Sequence, residues 1–88
     1  MKRRQLKKEI NLLCDGLFAE CVALVYFKDK QEKRDAENIM LTILELQDDM
    51  ISRLSHVEPG STKLFFKKYH EELAIRIEEI ISQINALV

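Results

Sequence analysis

Little in this chain breaks a helix. It contains one proline, two glycines and no tryptophan in 88 residues. The proline and one glycine are adjacent, so Pro59-Gly60 is the one strong turn signal. A phosphate-cradling loop needs clustered glycines, and this sequence has no such cluster. Cysteine is equally sparse. Cys14 and Cys21 lie seven positions apart. On one helix that is a rise of about 10.5 Å, beyond the roughly 7 Å Cα limit for a disulfide. They read as small buried hydrophobes, and the paired CxxC spacing of a zinc site is missing.

Long apolar runs are also missing. The longest is Cys21–Phe27, seven residues, where a bilayer needs about 20. Lys7, Lys8 and Glu9 stand where the apolar part of a signal peptide would begin. The expectation is therefore a cytoplasmic protein with no membrane partner. Neither sign of charge dominates: the formal net charge is −1, with a third of the residues charged. That balance points to no particular class of partner.

What the chain does contain is three runs of helix-period hydrophobicity. The third is the clearest: Phe66, His70, Leu73, Ile77, Ile80, Ile84 and Leu87 alternate steps of four and three, which places them on one helix face. The first predicted helix covers about residues 4–28, with a stripe of Leu6, Ile10, Leu13, Leu17, Cys21 and Leu24, widened by Cys14, Phe18 and Val25. Gly16 sits inside it at a cost of about 1 kcal/mol relative to Ala; either another backbone approaches there or Asp15-Gly16 marks a kink. The segment Lys28 to Asp35 is wholly polar and is read as the first turn, with Asp29 or Asp35 capping the next helix. Asp29 has Glu32 three positions on, as in a capping box. The competing reading is a single helix over residues 4–56 with this stretch exposed. The second helix is expected over about 36–55, with Ala36, Met40, Ile43, Gln47, Met50 and Leu54 as its stripe and Ile39, Leu44 and Ile51 beside it. Ser61 or Thr62 would cap the third, over about 63–86.

Three helices of similar length with short links predict a single all-α domain spanning residues 1–88, a three-helix antiparallel up-down-up bundle. So small a domain has a thin stability margin, and dimerisation is a common remedy.

That topology gathers three constellations. One end collects Lys2, Arg3, Arg4, Lys7 and Lys8 with Arg53, Lys63, Lys67 and Lys68, a candidate patch for an anion or nucleic acid. No recognition-helix motif or interleaved aromatics accompany it. The other end is apolar. Val22, Val25, Tyr26 and Phe27 join Ile81, Ile84, Leu87 and Val88 there, with no charge over the last nine residues. A lone rod has too few neighbours to cover this, so a partner or dimer surface is expected. Third, Gln47 and His70 occupy central stripe positions at nearly the same height above the Pro59-Gly60 turn, and they are expected to face each other as a buried polar pair. His56 lies by that turn. Neither histidine stands at metal-ligand spacing. The acidic pairs Asp48-Asp49, Glu71-Glu72 and Glu78-Glu79 fall mostly on solvated faces. No catalytic constellation, cofactor or metal is predicted. The expected function is a protein–protein interaction or structural module, a homodimer or a subunit of a helical complex; a small regulatory nucleic-acid binder is the alternative.

Overall fold

The computed structural model describes residues 3–55 and 62–88. Three α-helices account for nearly all of them: α1 (Arg3–Phe27), α2 (Lys30–Leu54) and α3 (Thr62–Leu87). Among the described residues there is no strand, so the protein is all-α. The Pro59-Gly60 turn, Ser61 as a cap and His56 lie outside the described residues.

The first link is much shorter than its composition implies. Residues 28 and 29 alone interrupt the helices, and the polar stretch from Lys30 to Asp35 forms the opening of α2. Helix 2 thus starts at Lys30, not near Ala36, and α1 and α2 are not one continuous rod. The reason is local. Lys, Gln, Glu and Arg are good helix formers whether or not they face a core; a missing apolar residue removes the buried stripe, not the helix. The break itself belongs to Asp29. Its backbone is extended (φ −74°, ψ 179°), and its side chain accepts a hydrogen bond from the Glu32 backbone N–H at 3.0 Å. Glu32 also lies 3.7 Å from the Lys28 ammonium. Asp29→Ala is expected to cost about 1 kcal/mol, the usual loss for an N-cap. Thermal unfolding followed by circular dichroism checks this; an unchanged midpoint would show that the cap contributes nothing.

The core is built mainly on α2. Helix α1 packs chiefly against α2, α3 also packs on α2, and α1 and α3 touch little. Buried residues run at steps of four and three along the helices: Leu6, Ile10, Cys14, Leu17 and Cys21 on α1; Ala36, Ile39, Ile43, Leu46, Met50 and Leu54 on α2; Tyr69, Ile77, Ile80 and Ile84 on α3, where half-buried Leu73 fills the step between Tyr69 and Ile77. This differs from the sequence-derived stripes by one position at four points. Cys14 is buried while Leu13 is 41% exposed; Ile39 is buried and Met40 half-buried; Leu46 is buried and Gln47 stands at the edge; Tyr69 is buried and His70 is exposed. A shift of one residue turns the face by about 100°. Where apolar residues flank a stripe on both sides, packing against the neighbouring helices chooses the phase, and it chooses Leu46 over Gln47.

The resulting body is long and thin, 51 × 19 × 16 Å. Its radius of gyration is 14.8 Å, against about 12 Å for a compact domain of this length.

Candidate functional site

The densest polar grouping lies along the α2–α3 seam. The Tyr69 hydroxyl donates to the Met50 carbonyl at 2.6 Å from inside the core. Burial pushes its phenol up to about 12. On the surface beside it, Arg76 donates to Asp49 Oδ2 at 2.6 Å. Arg53 lies 3.2 Å from the same carboxylate and also pairs with Glu72. The hydrogen bond from Arg76 outweighs the opposing effect of desolvation and, with the charges of Arg53 and Arg76, holds the Asp49 carboxyl below the usual carboxylate range. Glu72 in turn raises Arg53 above its ordinary value. These side chains are 29–44% exposed, so each ion pair is worth about 0–1 kcal/mol. Each of these charges has a counter-charge within the cluster. The arrangement clamps α3 to α2.

The expected Gln47–His70 pair does not form. Gln47 Nε2 donates to Asn11 Oδ1 on α1 at 2.8 Å, and His70 faces solvent with its ring edge-on to Tyr69 at 6.2 Å. The cause is the phase of α3: once Tyr69 enters the core, its neighbour is turned out. The partner of Gln47 had a sequence signal, because Asn11 is the polar residue adjacent to Ile10 on the α1 stripe. Tyr69 was missed for the opposite reason; an aromatic just outside a nominal stripe looks like a flank.

The basic constellation is only partly free. Arg4, Lys7, Lys8, Lys63, Lys67 and Lys68 are exposed, whereas Arg53 is committed to Asp49 and Glu72. Lys2 and the side chain of Arg3 lie outside what is described. Among the described residues, no three His, Cys, Asp or Glu side chains converge as metal ligands would. Cys14 and Cys21 are free and buried. Burial, reinforced by Asp15 and Glu20 respectively, pushes their thiols up, which keeps them protonated and unreactive.

The apolar constellation divides. Tyr26, Phe27 and Val88 are 79%, 85% and 81% exposed. Ile81 is also exposed; Val22, Val25 and Leu87 are half-buried. Ile84 is in the core and does not belong to a surface. An open groove between α1 and α3 lies against Glu20, Ala23, Leu24, Ile84, Asn85 and Val88, where the two helices part.

No family model, curated protein or solved structure matches this chain.

Exposed apolar side chains are not confined to that end. Leu12, Leu13, Leu41, Leu44, Leu64 and Ile75 are between 41% and 63% exposed. The chain exposes 6327 Å² in all, where a compact monomer of 10.4 kDa exposes about 5,400 Å². Leu12, Leu13, Tyr26 and Phe27 of the exposed apolar set lie on α1. Between Ile10 and Phe27 only Asp15 and Glu20 carry charge, and by length and composition this helix is apolar enough to cross a membrane. Counting uninterrupted apolar residues conceals that, because two acids break an otherwise apolar segment. The inner stripe of α1 is nonetheless packed in the core.

Proposed function

We propose that this chain is a small helical interaction module, a single domain whose helices run up, down and up as an antiparallel bundle, and that it works as a homodimer or as a subunit of a helical complex. The neighbours such a bundle requires are present: Asn11 beside Gln47, Asp49 beside Arg76, Asp35 near Leu87, and Leu24 near Val88. The observation that carries the functional reading is the exposed apolar surface. Tyr26, Phe27 and Val88 are close to fully exposed in an isolated chain, and extensive exposed apolar surface marks contact sites. The mechanism is burial of that surface against a second helical body, which also supplements the thin core of so small a domain. Free, unpaired cysteines suit the reducing cytoplasm. Size-exclusion chromatography with light scattering tests the reading. We expect a mass of twice the chain at micromolar concentration or stable co-elution with a helical partner; a strictly monomeric chain that captures no such partner would refute it.

A second reading rests on the exposed cations Arg4, Lys7, Lys8, Lys63, Lys67 and Lys68. In the antiparallel bundle they share one end, where they would meet an anionic partner such as nucleic acid. Salt-dependent retention on heparin or RNA is the expected result, and free passage at low salt removes this reading.

A further inference from the structure

We infer that α3 is a strap that opens from the α1–α2 pair as a separate unit, and that the ion pairs Arg53–Glu72 and Arg76–Asp49 are the latch that holds it shut. This concerns how the fold opens and does not depend on which partner the protein meets.

Three observations carry the inference. The first is the uneven packing of the helices. Helix α1 packs chiefly on α2, α3 also packs on α2, and α1 and α3 touch little. Segments open on their own where few buried contacts hold them, and α3 has one substantial neighbour to leave. The second is the pair of clefts beside the C-terminal half of α3. One parts it from α2, with Ile39 and Thr42 facing Gln83 and Leu87. The other parts it from α1, with Ala23 and Leu24 facing Ile84 and Val88. Each is about 330 Å³, some ten times the roughly 30 Å³ of one water molecule. A closely packed seam has no such opening, so water reaches this half of α3 from two sides while Ile80 and Ile84 stay covered. The third is the placing of the polar contacts. Among the described residues, those joining α3 to α2 all fall between Tyr69 and Arg76, and none joins α3 to α1. Residues 77–88 are held to the other helices by apolar packing only.

The ion pairs suit a latch because their side chains are 29–44% exposed, where dissolved salt screens them. Release separates Glu72 from Arg53 and Arg76 from Asp49, while Arg53 and Asp49 keep each other on α2. Opening then bares Ile77, Ile80 and Ile84 together with the α2 surface around Met50, which lie in one core when the strap is shut.

Hydrogen exchange of the full chain, followed by mass spectrometry in rising sub-denaturing urea at one fixed protein concentration, tests the inference. Residues 73–84 should open at least about tenfold more often than residues 39–50, and with a shallower dependence on urea. One common frequency and slope for all three helices would mean that α3 opens only with the whole molecule, which overturns the strap. The latch has its own readout. Asp49→Asn combined with Glu72→Gln keeps side-chain size and removes both pairs; it should raise the opening of residues 73–84 by about three- to tenfold. About 1 M sodium chloride should do the same to the unaltered chain and little to the variant. A variant that opens no more often than the unaltered chain, or a salt response of equal size in both, overturns the latch.

Discussion

Leu46→Ala should remove a large part of the stability of this protein. Leu46 is completely buried at the middle of α2, the helix on which both others pack. Truncating such a leucine costs about 2–5 kcal/mol, from lost transfer energy and the cavity left behind. A domain of this length has about 4–13 kcal/mol in total, so the variant approaches the limit of remaining folded. The contrast is Leu44→Ala. Leu44 is 47% exposed on the same helix, and its truncation should fall within about 0.5 kcal/mol. Urea unfolding of both variants at one fixed protein concentration makes the comparison, since association adds to apparent stability. Equal losses at the two positions would mean that the packing phase of α2 is misassigned. A larger loss at Leu44 would point to its burial in an assembly.

The second large effect concerns Tyr69. It is 2% exposed, donates to the Met50 carbonyl, and stacks among Phe65 and Phe66. Tyr69→Ala should cost about 3–5 kcal/mol, as for other buried aromatics. Tyr69→Phe keeps the ring and loses only the hydroxyl contact, for about 0.5–1.5 kcal/mol. The hydroxyl also sets an alkaline limit. Burial raises the phenol from 10.0 to about 12 in the folded chain. Between those values the unfolded chain has released this proton and the folded chain has kept it, so stability is intact below pH 10 and declines as pH rises toward 12. Tyr69→Phe should flatten that decline. Unfolding midpoints measured across the alkaline range decide the matter: identical slopes in the two proteins would mean that the Tyr69 hydroxyl is not the buried titrating group. The Asp49 carboxyl acts at the other extreme. Its lowered value favours the ionised folded form, so its contribution is present above the ordinary value of 3.8 and disappears as pH falls below it. Exposure and solvent screening keep that contribution small.

The two polar residues assigned to the core show where sequence reasoning reached its limit. Gln47 and His70 each fit a four-and-three spacing as well as their neighbours do. Leu46 and Tyr69 fit it too, one position away. Periodicity alone scores both phases alike. Burial breaks the tie, because Leu46 loses nothing by desolvation and the Tyr69 hydroxyl finds a carbonyl, whereas a buried His70 would need hydrogen-bond partners for its ring nitrogens. The acidic pairs show a related effect. Asp49 and Glu72 were read as solvated, yet α2 and α3 approach closely enough for Arg53 and Arg76 to reach them.

Helix content and the ends of α1 and α3 were legible from composition and spacing, because a chain poor in glycine and proline, with apolar residues every three to four positions, has no competing local structure; the start of α2 was not, because its first turns carry no apolar stripe. Asp29 was legible as a cap for the same local reason: its own side chain reaches the N–H of Glu32. Distances between helices decided the rest. The phase of each buried face, the pairing of Gln47 with Asn11, the commitment of Arg53 to two carboxylates, and the bare outer side of α1 all depend on which helix lies beside which, and that is settled by total buried area across residues far apart in the chain.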